Sequence, residues 1–250
     1  MKIYNVVVVF IVGLILSACG GGGGGGATPT AVTDGYRGLY AATGEEAGVA
    51  SVDGVDAAAV YTYNFRGTPV DVTLDGLEAG GFVETKESPI ARYIGGTTYG
   101  YSRFGVVASY DTFGTEHITN GEVFYVGQKT SSMPTTGEAT YNGMASSLYE
   151  GAFINNDIQI FVDYGVRTIT GRMDNDPIFG EDVLFDGTIE GSDFSGDLAA
   201  TYDGTTYDNA GTFSGSFFGP DAAELGGVGV LSDGVDRTIA FSFGAEKEGL

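Results

Sequence analysis

Residues 211–230 read GTFSGSFFGPDAAELGGVGV. Gly211, Phe213, Gly215 and Phe217 fall on one parity, and Thr212, Ser214 and Ser216 on the other. Alternation with a period of two marks a half-buried strand. Gly219-Pro220 stops that strand, because proline has no amide for a ladder and glycine takes the backbone angles of a corner. Asp221 is expected to cap one helical turn over residues 222–225, closed by Gly226-Gly227. Leu225 would then plug the end of whatever the strands enclose, and a second strand runs from Val228.

The same alternation recurs through residues 137–250. Ile158, Ile160, Val162 and Tyr164 alternate with Asp157, Gln159 and Asp163; Ile169, Gly171 and Met173 with Thr168, Thr170 and Arg172. Val183, Phe185, Gly187 and Ile189 alternate with Asp186, Thr188 and Glu190; Phe194, Gly196, Leu198 and Ala200 with Asp193, Ser195 and Asp197. Further strands are expected at residues 139–142, 148–154 and 239–243. About eight strands at even spacing make an antiparallel meander, and a sheet of that size closes into a barrel whose interior side chains fill. Carboxylates inside so narrow a barrel would be buried unpaired, and on a lipid-facing wall they would be costly. The expectation is a soluble barrel, apolar inside and acidic outside. Residues 248–250 also lack the terminal aromatic usual in outer-membrane barrels.

Residues 31–134 read as a smaller β-rich unit, with strands at 36–40, 57–65, 70–74, 99–107 and 118–126. Asn120-Gly121 reads as a turn or bulge within the last, and the acidic, glycine-rich stretch 75–88 as loop. No long segment has an apolar period of 3.6, so very little helix is expected.

The front of the chain reads as export machinery. Lys2 precedes a short apolar core over residues 6–16, too short to span a bilayer. Leu16-Ser17-Ala18-Cys19 resembles a bacterial lipobox. That resemblance implies a signal peptide over residues 1–18, cleavage before Cys19, and acylation of Cys19 by palmitate-like chains. Gly20, in place of an aspartate, favours the outer membrane. Residues 19–30, with glycines 20–26, form a flexible tether. No Lys-Ser/Thr follows the run and no strand precedes it, so it is not a phosphate loop. Cys19 is the single cysteine, so no internal disulfide is available.

Composition narrows the function. The chain has 250 residues, 33 acidic against 11 basic, and a net charge of −22. That excludes nucleic acid, whose binding needs clustered Lys and Arg. Catalytic motifs are missing. His117 is the lone histidine, no Gly-x-Ser-x-Gly elbow exists, and no Cys/His set could hold zinc. Asp174-Asn175-Asp176 only begins a calcium-loop pattern, and Pro177-Ile178 break it. Met144, Met173 and His117 are the candidate haem ligands, with core packing the default for Met173. Glu45-Glu46 reads as a solvated pair. No enzyme, cofactor or metal is expected, and a hydrolase would lack any nucleophile–base motif.

Two motifs resemble one family. SFFGPDAAELGG, residues 216–227, is similar to a block near the C-terminus of transferrin-binding protein B and its lipoprotein relatives, with Phe218 where that family often has tyrosine. YSRFGV at 101–106 resembles the segment preceding that family's barrel. FYVGQ at 124–128, Met133-Pro134 and GEATYNG at 137–143 resemble the junction where its small handle domain enters the barrel. The resemblance covers roughly residues 99–247. It implies an all-β fold with a handle-like domain over 31–134 and a barrel over 135–250. It also implies a surface lipoprotein that captures a host protein or a nutrient ligand, such as a haem or metal carrier, through loops. A TonB-dependent receptor or an outer-membrane translocator would be its membrane partner. The chain has room for one lobe, so transferrin itself is not the expected ligand. No ligand-binding residue transfers with the resemblance. The alternative is a structural or adhesive envelope lipoprotein without a small ligand.

Overall fold

A computed structural model describes residues 33–40, 53–55, 62–65, 68–71, 82–87, 92–110, 118–149, 152–174, 182–202, 205–232 and 238–249. The chain first lays down β1 (Thr33–Tyr40), β2 (Asp53–Val55), β3 (Thr62–Phe65), β4 (Thr68–Asp71), β5 (Phe82–Glu87), β6 (Arg92–Thr98), β7 (Ser102–Tyr110) and β8 (Ile118–Gln128). β3 and β4 form a hairpin, and the other six make an antiparallel sheet in the order β2-β1-β8-β7-β6-β5. Eight more strands follow: β9 (Glu138–Tyr149), β10 (Ala152–Asp163), β11 (Thr168–Met173), β12 (Val183–Glu190), β13 (Asp193–Tyr202), β14 (Thr205–Phe218), β15 (Glu224–Ser232) and β16 (Thr238–Lys247). Each pairs with the next, and β16 returns to β9, so the sheet closes. Among the described residues the helical content is one 3-10 turn, Pro220–Ala222, and no helix is long and apolar enough to cross a membrane.

The period-two pattern decides which side of each strand is buried. In β12, Val183, Phe185 and Ile189 are buried while Leu184, Asp186, Thr188 and Glu190 are exposed. The interior is a packed aromatic column. Phe185 meets Phe213 edge-on at 5.0 Å and Phe243 at 5.5 Å, and Phe194 meets Phe217 at 5.3 Å. Such rings contribute about 1.5–3 kcal/mol each by burial alone. Eight strands leave little room, and glycine supplies it. Phe194 lies directly across the ladder from Gly215, and Phe241 from Gly229. In each pair a β-carbon on the glycine would collide with the opposing ring. The expected carboxylates do point outward: Asp157, Asp186, Glu190 and Asp197 are exposed, and Asp163 and Asp193 half-buried.

Several boundaries differ from the sequence expectation. Residues 148–154 are not a separate strand; they end β9 and begin β10, with Tyr149 paired to Ala152 across the hairpin. Asn120-Gly121 makes no turn, since Gly121 is paired to both Tyr40 and Ala108 inside β8, but the expected bulge is present beside it: Ser109 pairs with Asn120 and Tyr110 with Ile118, which leaves Thr119 without a ladder partner on β7. The stretch 75–88 is not all loop, since β5 occupies Phe82–Glu87. The strand expected at 99–107 starts later, at Ser102, because Tyr99 closes the β6–β7 turn through its amide to the Ser102 carbonyl at 2.8 Å. The expected strand at 57–65 is described only at Thr62–Phe65.

Residues 31–250 form one compact unit. β7 and β8 pack on β15 and β16, and their buried residues join the barrel's core. Phe104 covers Gly244, Tyr125 meets Phe218 at 6.1 Å, and the Ser242 hydroxyl donates to the Gly105 carbonyl at 2.8 Å. Phe217→Ala removes a ring at the centre of this column. Urea unfolding is expected to show a loss of about 3–5 kcal/mol, against about 0.5 kcal/mol or less for the outward Thr212→Ala.

Candidate functional site

The stop after β14 builds a clasp. Gly219 has φ 74°, and Asp221 and Ala222 follow at 53° and 54°. Non-glycine residues in that region are strained by about 1 kcal/mol or more each, so neighbours must hold them. The Tyr141 hydroxyl donates to the Ala222 carbonyl at 2.5 Å, which leaves the Tyr164 hydroxyl as donor to Tyr141, also at 2.5 Å. Burial, and then the Tyr164 bond, push the Tyr141 phenol far up. The Thr130 hydroxyl donates to the Gly219 carbonyl at 2.8 Å, and the Gly219 amide to the Gln128 carbonyl at 2.8 Å. Asp221 is therefore not the cap expected of it: Gly219 holds that position, and Asp221 sits exposed inside the turn. The turn is also earlier and shorter, because Glu224 already pairs with Glu246 in the ladder. Leu225 packs in the barrel wall opposite Phe217, and Ala222 reaches the core from the turn itself.

Glu224 ties the β6–β7 turn to the barrel. It is buried, and its carboxylate accepts from the Tyr101 amide at 2.9 Å and from the Ser102 hydroxyl at 2.7 Å. Burial raises its proton affinity, Glu246 across the ladder adds to this, and the bonds from Ser102, Tyr101 and Gly100 oppose it. Burial, then Glu246 and Glu224, likewise push the nearby Tyr99 phenol up.

The outer wall carries a different feature. Phe161 on β10 is 46% exposed and Leu184 on β12 is 50% exposed, both on the polar parity of their strands. They line a shallow groove of about 670 Å³ with Arg172, Asp186, Asp197 and Asp208. Arg172 is committed to Asp174 at 2.9 Å and Asp182 at 3.5 Å. Asp186 and Asp197 stand directly opposite each other, an unfavourable like-charge pair. Among the described residues these two and Asp208 have no ion-pair partner. Two exposed apolar anchors beside unpaired carboxylates suit a basic protein surface better than a small substrate.

Residues 133–247 match the family described as the C-lobe and N-lobe beta barrels of Tf-binding protein B. Over those residues the barrel is similar to the barrels of that family. Similar solved structures include intact Ap-TbpB with its N and C lobes, at 18% identity and TM-score 0.61, covering 86% of this chain and 46% of that one. Isotype 1 transferrin binding protein B from serogroup B Neisseria meningitidis matches at 18% identity and TM-score 0.62, covering 87% and 43%. A surface lipoprotein matches at 14% identity and TM-score 0.51, covering 87% and 99%. At these identities the likeness is one of fold, and the chain spans a little under half the length of the two transferrin-binding proteins. No curated protein matches the chain.

The sequence-derived candidates fall as follows in the structure. Cys19, His117 and Glu45-Glu46 lie outside the described residues. Met173 is buried in the core, and Met144 is partly buried and packs against that core. Asp174 pairs with Arg172 rather than opening a calcium loop; Asn175 and Asp176 lie outside the described residues. Among the described residues no group of three His, Cys, Asp or Glu converges as a metal site would. Sequence reading missed Phe161 and Leu184, although both stand out as apolar residues on the acidic parity of IQIFVD and VLFDGTIE. It also missed Glu224, whose burial depends on the β6–β7 turn reaching it from far along the chain.

The clasp predicts a pH dependence. A raised folded-state pKa means that the folded protein holds this proton more tightly than the unfolded chain does. The contribution of Glu224 is therefore fully present below its ordinary value of 4.5 and is lost as pH rises through the raised value. Glu224→Gln cannot ionise. The stability of wild type minus that of the variant, from urea unfolding, is expected to fall as pH rises from about 4 to about 8. A difference that stays constant over that range would contradict the buried carboxylate's role.

Proposed function

We propose that this chain is a non-enzymatic binding module. It is anchored to the outer membrane through acylated Cys19 and displayed on the cell surface by the tether over residues 19–30. The observation that carries the reading is the match of residues 133–247 to the transferrin-binding protein B barrel. The lipobox-like Leu16-Ser17-Ala18-Cys19 agrees with it. The captured partner is a host protein or a carrier of haem or metal, and a TonB-dependent receptor or translocator would stand beside the module in the membrane. Residues 31–134 serve as the handle-like unit and residues 135–250 as the barrel. The interior is filled by aromatic side chains, so binding belongs to the outer surfaces. The wall groove around Phe161 and Leu184 is the docking face we assign, and its unpaired carboxylates select a basic partner.

Protease shaving of intact cells tests the placement. Loss of the protein before the outer membrane is breached is the expected result. Survival until breach would place it in the periplasm and favour the structural envelope role instead. The wall is tested by Phe161→Ser combined with Leu184→Ser. Both side chains are half exposed, so the unfolding midpoint should hardly change. Retention of host-fluid proteins by the immobilised chain should drop by about tenfold or more, as for the loss of two anchors. Unchanged retention would remove the wall as the docking face.

A further inference from the structure

The barrel has two dissimilar ends. Every positive-φ residue described lies at or beside the end that carries the clasp: Gly137, Arg167, Gly191, Gly219, Asp221, Ala222 and Gly249. A cleft of about 200 Å³ opens there. It lies between the segment at 133–135, the β10–β11 turn and the β12–β13 turn, and Met133, Pro134, Tyr164 and Ile189 give it apolar walls. Arg167 stands at its edge, exposed.

We propose that this cleft binds a small organic monocarboxylate, held by the Arg167 guanidinium with its apolar body against Tyr164, Met133 and Ile189. Three observations carry the assignment. Arg167 has no hydrogen-bonding or ion-pair partner for its side chain among the described residues of a chain with net charge −22. Lys129 and Arg172 are paired, and Lys247 lies over the Tyr164 ring with its amine on the Asp221 carbonyl.

The backbone gives the second observation. Arg167 sits at φ 62°, where glycine is the easy residue. The chain has 43 glycines and places them at positive φ in neighbouring turns, at Gly137 and Gly191. The turn is fixed by its main chain, since the Arg167 carbonyl accepts from the Ile189 amide at 3.0 Å and the Asp163 carboxylate takes the Gly165 amide at 2.8 Å. None of this requires a guanidinium.

The third concerns the class of anion. The Gly165 and Val166 amides are both held by Asp163, and the Tyr164 hydroxyl is held by Tyr141. The side-chain donors that remain on the lining are the planar, two-pronged Arg167 guanidinium and the Thr135 hydroxyl, which match a carboxylate and are too few for a phosphate dianion. The walls then ask for a ring or a short branched chain.

Benzoate and its neutral counterpart benzamide are the probes, titrated into the full chain in detergent and followed by amide chemical shifts. Benzoate is expected to move the Tyr164, Gly165, Arg167 and Gly191 amides saturably, and benzamide is not. Arg167→Gly should leave the unfolding midpoint unchanged or raised while weakening benzoate by about tenfold or more, the loss of a charge-assisted hydrogen-bond pair. Equal binding of benzoate and benzamide, no saturable shift, or full benzoate affinity in Arg167→Gly would each overturn the assignment.

Discussion

Everything else in this molecule depends on how phenylalanine rings fit inside a barrel of eight strands. Closure at this size leaves an interior that side chains barely fill. Here Phe194, Phe213, Phe241 and Phe243 each lie directly across the ladder from a glycine. The ring occupies the space that a second side chain would have taken. The same device joins the N-terminal sheet to the barrel, where Phe104 covers Gly244 and Phe218 covers Gly127. Glycine weakens an isolated strand, yet here it lets large apolar rings be buried without a gap. The glycines that face these rings are thus a packing requirement rather than a sign of loose structure.

A filled interior settles where function can reside. Among the described residues it leaves no lumen for a ligand, and the proposed recognition therefore falls to the wall and the two ends. The wall is acidic, as a narrow barrel with an apolar core must place its carboxylates outside. Against that background Phe161 and Leu184 are conspicuous as apolar side chains, and Arg167 as a cation with no ion-pair partner among the described residues. The clasp works on another level. Its strained turn, its tyrosine pair and buried Glu224 bind the end of β14 to the β6–β7 turn and to the segment leaving β8. A carboxylate buried there stays only because hydroxyl and amide donors surround it. Two sheets that could otherwise move as separate bodies are held in one orientation, and surfaces on both keep a fixed relation to each other.

Much of this was legible in the sequence because period-two alternation is strong wherever one face of a strand is buried. Val183-Leu184-Phe185-Asp186 and its neighbours gave both the strands and their inward face. Gly219-Pro220 announced the stop. The geometry of the stop was not legible, since left-handed angles at Asp221 and Ala222 are imposed by Tyr141, Thr130 and Gln128, none of them local. The hairpin at Tyr149–Ala152 reads as one strand because Leu148 and Tyr149 before Glu150-Gly151, and Ala152, Phe153 and Ile154 after it, are apolar. β5 was missed since FVETKE has mixed polarity and glycine-rich flanks, so its pairing with β6 determines it more than its own pattern does. Phe161 and Leu184 stand out in the sequence as exceptions to the alternation. Arg167 does not stand out in that way, because what sets it apart is its positive φ and its lack of an ion-pair partner among the described residues.

The clasp makes the N-terminal sheet and the barrel one cooperative body. Native-state hydrogen exchange tests it most directly. The amides of Tyr101, Thr130 and Gly219 cross between the two parts, donating to Glu224, to the Phe217 carbonyl and to the Gln128 carbonyl. The account predicts that they exchange only through global unfolding, with the same denaturant dependence as the Phe213 amide inside the barrel. Exchange at those three amides through a smaller opening, while Phe213 stays protected, would show that the sheet detaches from an intact barrel and would contradict it.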